Sequence, residues 1–222
     1  QILSETFALC GWNVSFEELR RIAEYQMVHG VTLLCQHLAP YSLGGIRKRD
    51  APAALFVQQP WWKEYRHFND FISRVGMLLT LGNVHFSVLV LHPQQSAWAL
   101  YDGSETSRAE IDRLNSALRS TVQTLEHAQI PFHLGDDQML SQHASIEGNR
   151  LCVGAQRYRA VIISPCLSLD ARVAALLAQF AQNGGTILCA EAEEPKAQAA
   201  VGIPYLSDGV SCANLRRLAG GF

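Results

Sequence analysis

The chain has 222 residues, and its formal net charge is −2 at pH 7. Apolar residues make up 48% of the chain, which is enough for a buried core and excludes an intrinsically disordered protein. The absence of a basic excess argues against a nucleic-acid partner, and no apolar run reaches the roughly 18 residues of a membrane span.

The first segment is predicted to fold as strand, helix and strand. An apolar strand covers residues 2–7 and starts at the very first residues, so we expect the chain to be an excised piece of a longer protein. Ser15 and Glu18 have the spacing of a capping box, which starts a helix that ends near Gly30. The short apolar run 31–35 is typical of a strand that is buried in a parallel sheet.

A long segment without regular periodicity, residues 36–62, follows the second strand. Loops of this length are usually functional or disordered, and the aromatic residues of this one argue against disorder. A second helix is predicted over residues 63–81. Because two strands and two helices cannot close a sheet, we expect the segment to belong to a larger α/β assembly, with a domain boundary near residue 82.

Strands and helices alternate again after residue 82. The helices are expected to be capped by Ser107 and Ser168, and a hairpin is expected around Gly148. Apolar runs predict strands over residues 84–91, 130–134, 160–164 and 186–190. This alternation predicts an α/β domain with a parallel, doubly wound sheet.

Among the charged residues, Glu5 is the strongest candidate for a catalytic group. It lies near the carboxyl end of the first strand, and in βα barrels that end of the strands carries the catalytic groups. A carboxylate held there suits glycoside hydrolysis, as nucleophile, base or acid. His37 ends the next strand, so we expect its ring beside Glu5. The alternatives are an ion-paired edge Glu5 without chemistry and a His37 bonded to a main-chain carbonyl.

The long loop and its surroundings supply candidate sugar contacts. A charged run is either solvated or able to bond sugar hydroxyls and Glu5: Arg47, Lys48, Arg49 and Asp50. Several aromatic side chains are either core residues or platforms on which sugar rings stack: Trp12, Tyr41, Trp61 and Trp62.

The six cysteines show no zinc-ligand spacing. Cys166 precedes a predicted helix, where main-chain amides could lower the pKa of its thiol. A hydrolase with a Cys166 nucleophile is therefore a further alternative, although no base and no glycine-flanked elbow accompany this residue.

Taken together, the motifs of the first segment resemble one enzyme family, the α-L-rhamnosidase-type glycoside hydrolases, and β-galactosidase-like relatives share the general plan. The resemblance lies in Ser4-Glu5-Thr6-Phe7, Gly11-Trp12, Gln36-His37, Tyr41-Ser42, Arg47-Lys48-Arg49-Asp50 and Pro60-Trp61-Trp62. It implies that residues 1–82 are the last βα units of a (β/α)8 TIM barrel. It also implies that residues 83–222 are a flavodoxin-like, class I glutaminase-like accessory domain without the catalytic cysteine.

The resemblance also implies roles for individual residues. Glu5 is then the catalytic carboxylate, and the sugar is bound by His37, Trp12, Tyr41, Arg47, Arg49, Asp50 and Trp61. The implied partner is a carbohydrate substrate, and no cofactor is implied beyond a possible calcium ion. The sequence does not distinguish a cytoplasmic from a periplasmic location of this bacterial-type enzyme.

Glycosidases normally use two carboxylates, and the second would lie on an earlier barrel strand. We therefore expect a glycoside hydrolase fragment that is inactive alone and that lacks the N-terminal portion of its barrel. The alternative is a non-catalytic carbohydrate-binding or oligomerisation module. Only 17% of the residues are charged, which suits a surface covered by a homo-oligomer or another partner.

Overall fold

The computed structural model describes residues 1–190, and the chain divides into one compact unit, Gln1–Val84, and a second that starts at His85. Each unit has a parallel sheet, so the predicted α/β class is confirmed. No helix within the described residues is long and apolar enough to cross a membrane. Cys212 and the rest of 191–222 lie outside the described residues.

The first unit is built on two parallel strands and two helices. Its elements are β1 (Leu3–Thr6), α1 (Phe16–Val28), β2 (Leu33–Gln36), a short 3₁₀ turn (Arg47–Arg49) and α2 (Tyr65–Leu79). The opening strand pairs with β2 and not with the strands of the second unit, as the barrel interpretation requires.

Helix α1 begins where the sequence predicts it. Ser15 accepts a hydrogen bond from the Glu18 main-chain N–H at 3.2 Å, which confirms the cap. The second hydrogen bond of a capping box, from the Ser15 main-chain N–H to the Glu18 side chain, was predicted wrongly. The Glu18 carboxylate instead pairs with the Arg21 guanidinium at 2.6 Å. Gly30 follows the helix with a φ of +100°, a conformation that glycine adopts without steric cost.

The two faces of the β1–β2 sheet differ in burial. Thr6 is buried and Leu34 packs against the core of both helices, so the even-numbered side chains face α1 and α2. The odd-numbered side chains point to the other face, where Leu3 and Leu33 are 58% and 44% exposed. Among the described residues 1–190, the helices of the first unit cover one face of this parallel sheet, although parallel sheets are usually covered on both.

The second unit contains a four-stranded parallel sheet and a three-stranded antiparallel sheet. The parallel strands are β3 (Val88–Leu91), β4 (Phe132–Gly135), β8 (Ala160–Ile163) and β9 (Thr186–Cys189), in the order β4-β3-β8-β9. The antiparallel strands are β5 (Ala144–Glu147), β6 (Arg150–Val153) and β7 (Gln156–Tyr158). The helices are α3 (Gln94–Leu100), α4 (Glu105–His127), α5 (Asp137–His143) and α6 (Ala171–Gln182).

Helices cover both faces of the four-stranded sheet, which confirms the doubly wound arrangement. Leu89 and Val161 belong to one core together with Phe180 of α6. Val90 belongs to a second core together with Leu125 of α4. Coverage of both faces explains why β3 and β8 read as continuous apolar runs rather than as alternating ones.

Two predicted helix starts in the second unit are wrong. Helix α4 is capped by Ser104, whose side chain accepts from the Ser107 N–H, and not by Ser107. Helix α6 is capped by Asp170, not by Ser168, since the Asp170 carboxylate accepts from the N–H groups at the start of that helix. A sequence with several capping residues in a row offers several starts, and tertiary packing selects one. Helices α3 and α5 and strand β7 have no counterpart among the predicted elements.

Gly76 lies where α2 comes close to the main chain just before β2. It is buried, and a Cβ atom at this position would lie 2.9 Å from the Thr32 carbonyl oxygen. Main chain cannot move away as a flexible side chain can, so the contact requires glycine in spite of its low helix propensity.

We therefore predict that Gly76→Ala lowers the free energy of unfolding of the first unit by about 1–2 kcal/mol, because overpacking outweighs the better helix propensity of alanine. Urea unfolding followed by tryptophan fluorescence measures this change. Ser73→Ala, on an exposed position of the same helix, is the control and should leave stability unchanged or raise it slightly. A stabilised Gly76→Ala variant would contradict the close contact.

Candidate functional site

Glu5 and His37 lie side by side at the carboxyl ends of the two parallel strands of the first unit. The register aligns Glu5 with Cys35, and the His37 main-chain N–H donates to the Thr6 carbonyl oxygen at 2.9 Å. The His37 Nδ1 atom and the Glu5 Oε1 atom are 2.5 Å apart. The expected proximity is confirmed, while the catalytic role of Glu5 and the sugar-binding role of His37 stay predictions.

The pair is open to solvent and not hidden under a helix. The Glu5 side chain is 60% exposed and the His37 side chain 30% exposed. Both residues are odd-numbered and lie on the face that the helices leave uncovered. A carboxylate bonded to Nδ1 orients an imidazole and favours the proton on that nitrogen. The arrangement therefore presents the ring's Nε2 atom and the second Glu5 oxygen to a ligand.

Gln36, the last residue of β2, holds this strand in place just before His37. The Gln36 amide nitrogen donates to the Leu55 carbonyl oxygen at 2.8 Å, and the Tyr65 hydroxyl donates to the Gln36 amide oxygen at 2.5 Å. Burial raises the pKa of Tyr65 to about 12, so the phenol keeps the proton that it donates. Sequence reasoning missed this support, because nothing in the local pattern links residues 36, 55 and 65.

The charged loop mostly bonds its own main chain. The Arg47 guanidinium donates to the carbonyl oxygens of Asp50 and Pro52 at 3.2 and 2.9 Å. The Asp50 carboxylate accepts from the Ala51 N–H at 2.9 Å. Arg49 is exposed, as is Lys48. The structure thus ties Arg47 to loop geometry and leaves Arg49 as the more available cation for the predicted sugar contacts.

The four aromatic candidates fall into two groups. Trp61 and Trp62 are half-buried and pack on Tyr65, with ring centroids 5.5 and 5.7 Å from it. Trp12 and the fully exposed Tyr41 keep ring surface in solvent. Two of these aromatic rings therefore stabilise the core around α2, and two remain available for stacking.

The second unit has a small crevice at the carboxyl ends of β3 and β8, where ligands of open α/β sheets usually bind. Its volume is about 10 Å³, room for one water molecule. The Asp137 and Ser164 side chains line it, and each has a buried oxygen atom without a hydrogen-bond partner among the described residues. The crevice is too small for a sugar.

Cys166 also lines this crevice, but its surroundings do not activate it. Burial raises the pKa of the Cys166 thiol to about 11, and Asp137 and Cys189 add to the effect. The thiol is therefore protonated at neutral pH, when only the thiolate is a good nucleophile. This environment argues against a Cys166 hydrolase.

Within residues 1–190, no cluster of three or more histidine, cysteine, aspartate or glutamate side chains is arranged to hold a metal ion.

No protein-family model matches the sequence, and no curated protein matches it. Several solved structures do match. A rhamnosidase from Novosphingobium sp. PP1Y aligns with a TM-score of 0.63 and 14% identity, over 99% of this chain and 22% of that one.

A catalytic mutant of Gan42B, a GH42 beta-galactosidase from G. stearothermophilus, has a TM-score of 0.51 and 17% identity, over 90% of this chain and 26% of its own. A second structure of Gan42B has a TM-score of 0.54 and 16% identity, over 96% and 29% of the two chains.

The fold is therefore glycoside hydrolase-like, and the chain spans between 22% and 29% of the length of these proteins. Identities this low show the fold alone.

We predict that Cys166 resists alkylation in the folded chain, because its thiol is buried and protonated. A short pulse of iodoacetamide at pH 8, with mass spectrometry of the peptides, should label the exposed Cys35 first and Cys166 only on unfolding. Cys35→Ser identifies the first label. Rapid labelling of Cys166 in the native protein would revive the nucleophile hypothesis.

We also predict that Asp137 makes stability depend on pH. Burial raises the pKa of the Asp137 carboxyl, and the charges of Asp170 and Asp136 raise it further, although a hydrogen bond from the Asp170 N–H opposes them. The native state therefore binds this proton more tightly than the unfolded state. The resulting stabilisation is present at low pH and is lost as pH rises from about 4, the ordinary value, through the raised pKa.

Urea unfolding of wild type and Asp137→Asn across this pH range checks the effect. The wild type should lose stability relative to the variant as pH rises. Asp112→Asn, an exposed position on α4, should follow the wild type. Parallel curves for wild type and Asp137→Asn would contradict the prediction.

Proposed function

We propose that the chain supplies part of a glycoside hydrolase, with Glu5 as a catalytic carboxylate. Residues 1–82 then correspond to the last βα units of a (β/α)8 barrel, and residues 83–222 to a flavodoxin-like, glutaminase-like accessory domain. The observation that carries the proposal is the Glu5–His37 pair, 2.5 Å apart at the carboxyl ends of two parallel strands. The glycoside hydrolase-like fold supports it.

In this proposal His37 is a positioning residue. Its ring holds one Glu5 oxygen, so the other oxygen points toward the anomeric carbon or the glycosidic oxygen of the sugar. The exposed rings of Trp12 and Tyr41 offer stacking surfaces, and Arg49 offers donors to hydroxyl groups. A rhamnoside or a galactoside is the substrate class that the similar structures suggest.

A second carboxylate is needed for hydrolysis, about 5 Å away in a retaining enzyme and farther away in an inverting one. Asp50 is a poor candidate, because its carboxylate accepts from the neighbouring Ala51 N–H. The proposed enzyme therefore needs a second carboxylate from further barrel strands, and the chain alone binds sugar without cleaving it.

The second candidate function is a non-catalytic carbohydrate-binding or oligomerisation module. The uncovered apolar face around Leu3 and Leu33 favours it, because such a face is stabilised by contact with another surface. This candidate shares sugar binding with the first but assigns no chemistry to Glu5.

We predict that the purified chain releases no p-nitrophenol from aryl α-L-rhamnoside or aryl β-D-galactoside. Titration with L-rhamnose or D-galactose should shift the His37 ring resonances in NMR spectra. Glu5→Gln should weaken that binding about tenfold, since a hydrogen bond to a charged group is lost.

Glu17→Gln, on the exposed first turn of α1, is the matched control and should bind like wild type. Aryl glycoside turnover that Glu5→Gln abolishes would show that the chain is active alone. Unchanged His37 resonances at high concentrations of either sugar would count against a sugar site at this pair.

A further inference from the structure

The crevice in the second unit lies at the point where the strand order of the parallel sheet reverses. The chain runs from β3 to β4 on one side and then to β8 on the other, which gives the order β4-β3-β8-β9. Ligands of open parallel sheets bind outside the carboxyl ends of the strands at such a point. Because the volume of the crevice is about 10 Å³, its occupant is no larger than one water molecule.

Three side-chain oxygens that line the crevice belong to three different elements. Ser96 lies on α3, Asp137 starts α5 and Ser164 follows β8, and all three residues are more than nine-tenths buried. The Asp137 Oδ1 and Ser164 Oγ atoms have no hydrogen-bond partner among the described residues. Since burial of a polar atom without a partner is costly, these atoms indicate a bound ligand.

The charge of Asp137 favours a cation over water as that ligand. Within residues 1–190, no lysine, arginine or histidine forms an ion pair with this carboxylate. The charges that act on it are those of Asp170 and Asp136, which have the same sign. Water would satisfy the hydrogen bonds of Asp137 and leave its charge without a partner, whereas buried charges in proteins are paired or bind a metal ion.

The number of charged ligands favours a single positive charge. Calcium takes roughly six to eight oxygen ligands, and magnesium keeps several of its own water molecules. The crevice has one carboxylate and no space for additional water. A monovalent cation that has lost its water shell needs neither a second carboxylate nor that space.

We propose that the crevice binds one dehydrated monovalent cation through Asp137 Oδ1, Ser164 Oγ and Ser96 Oγ. Sodium, potassium and ammonium share the required chemistry, which is one positive charge and attraction to oxygen atoms. The bound cation joins α3, α5 and the loop after β8, so it stabilises the strand ends of the second unit. This inference goes beyond the proposed function, because it involves neither Glu5 nor a sugar.

The test is a titration of the full chain with sodium, potassium or ammonium chloride, each followed by NMR. Tetramethylammonium chloride, whose cation is too large for the crevice, keeps the ionic strength constant and so removes general screening effects. The Leu167 and Asp170 amides are the readout, because they donate to Ser96 Oγ at 3.0 Å and to Asp137 Oδ2 at 3.2 Å.

We expect at least one of the three ions to shift both amide resonances along a saturating curve, with half-saturation at millimolar concentrations. Asp137→Asn keeps the shape of the side chain but removes its charge, so it should weaken binding about tenfold or more. Ser164→Ala removes one ligand oxygen and should also weaken binding. Asp112→Asn, on an exposed position of α4, is the matched control and should bind like wild type.

The absence of a saturating shift with all three ions would show that water alone suits the crevice, and it would overturn the proposal. Saturable binding with unchanged affinity in Asp137→Asn would locate the cation elsewhere and would overturn it as well. If Asp137→Asn does not fold, Ser164→Ala decides the question, since unchanged affinity in that variant would also contradict the site.

Discussion

The candidate site depends on the parallel pairing of β1 with β2. This register carries the ends of both strands to the same edge, so that Glu5 and His37, far apart in sequence, come within hydrogen-bond distance. An antiparallel pair or a shift by one residue would send one of the two side chains to the other end or to the helix-covered face. Gln36 and Tyr65 hold β2 in this position, and Gly76 lets α2 approach the strand closely enough to cover it.

The two units differ in how completely their parallel sheets are covered. This difference decides which unit exposes polar side chains that can contact a ligand. In the second unit helices pack on both faces of the sheet. The polar side chains near the strand ends are buried around a space for one water molecule: Asp137, Ser164 and Cys166. In the first unit, the part of the chain that the structure describes leaves one face and the β2 edge open, and the carboxylate and imidazole lie on that open face. Apolar Leu3 and Leu33 are exposed on the same face as the candidate site.

Much of the local structure follows from the sequence because short-range rules determine it. Spacing and strand direction were enough to predict three features: the Ser15 cap, the buried strands β3 and β8, and the proximity of Glu5 to His37. The same rules failed where they allow several answers. Ser104 and Asp170, not Ser107 and Ser168, cap their helices, since capping propensity alone does not choose among neighbouring hydroxyl and carboxyl residues.

By itself, therefore, the sequence determined the α/β class, the separate pairing of the opening strand and the proximity of Glu5 to His37. Only the tertiary structure decided that Trp61 and Trp62 pack around Tyr65, that Arg47 bonds loop carbonyls and that Cys166 is buried beside Asp137. The physical reason is that residues distant in the chain decide how deeply a side chain is buried and which groups it bonds. Strand and helix patterns depend on neighbouring residues instead. An aromatic residue such as tryptophan can stack on a ligand or pack in the core, depending on which other residues cover it.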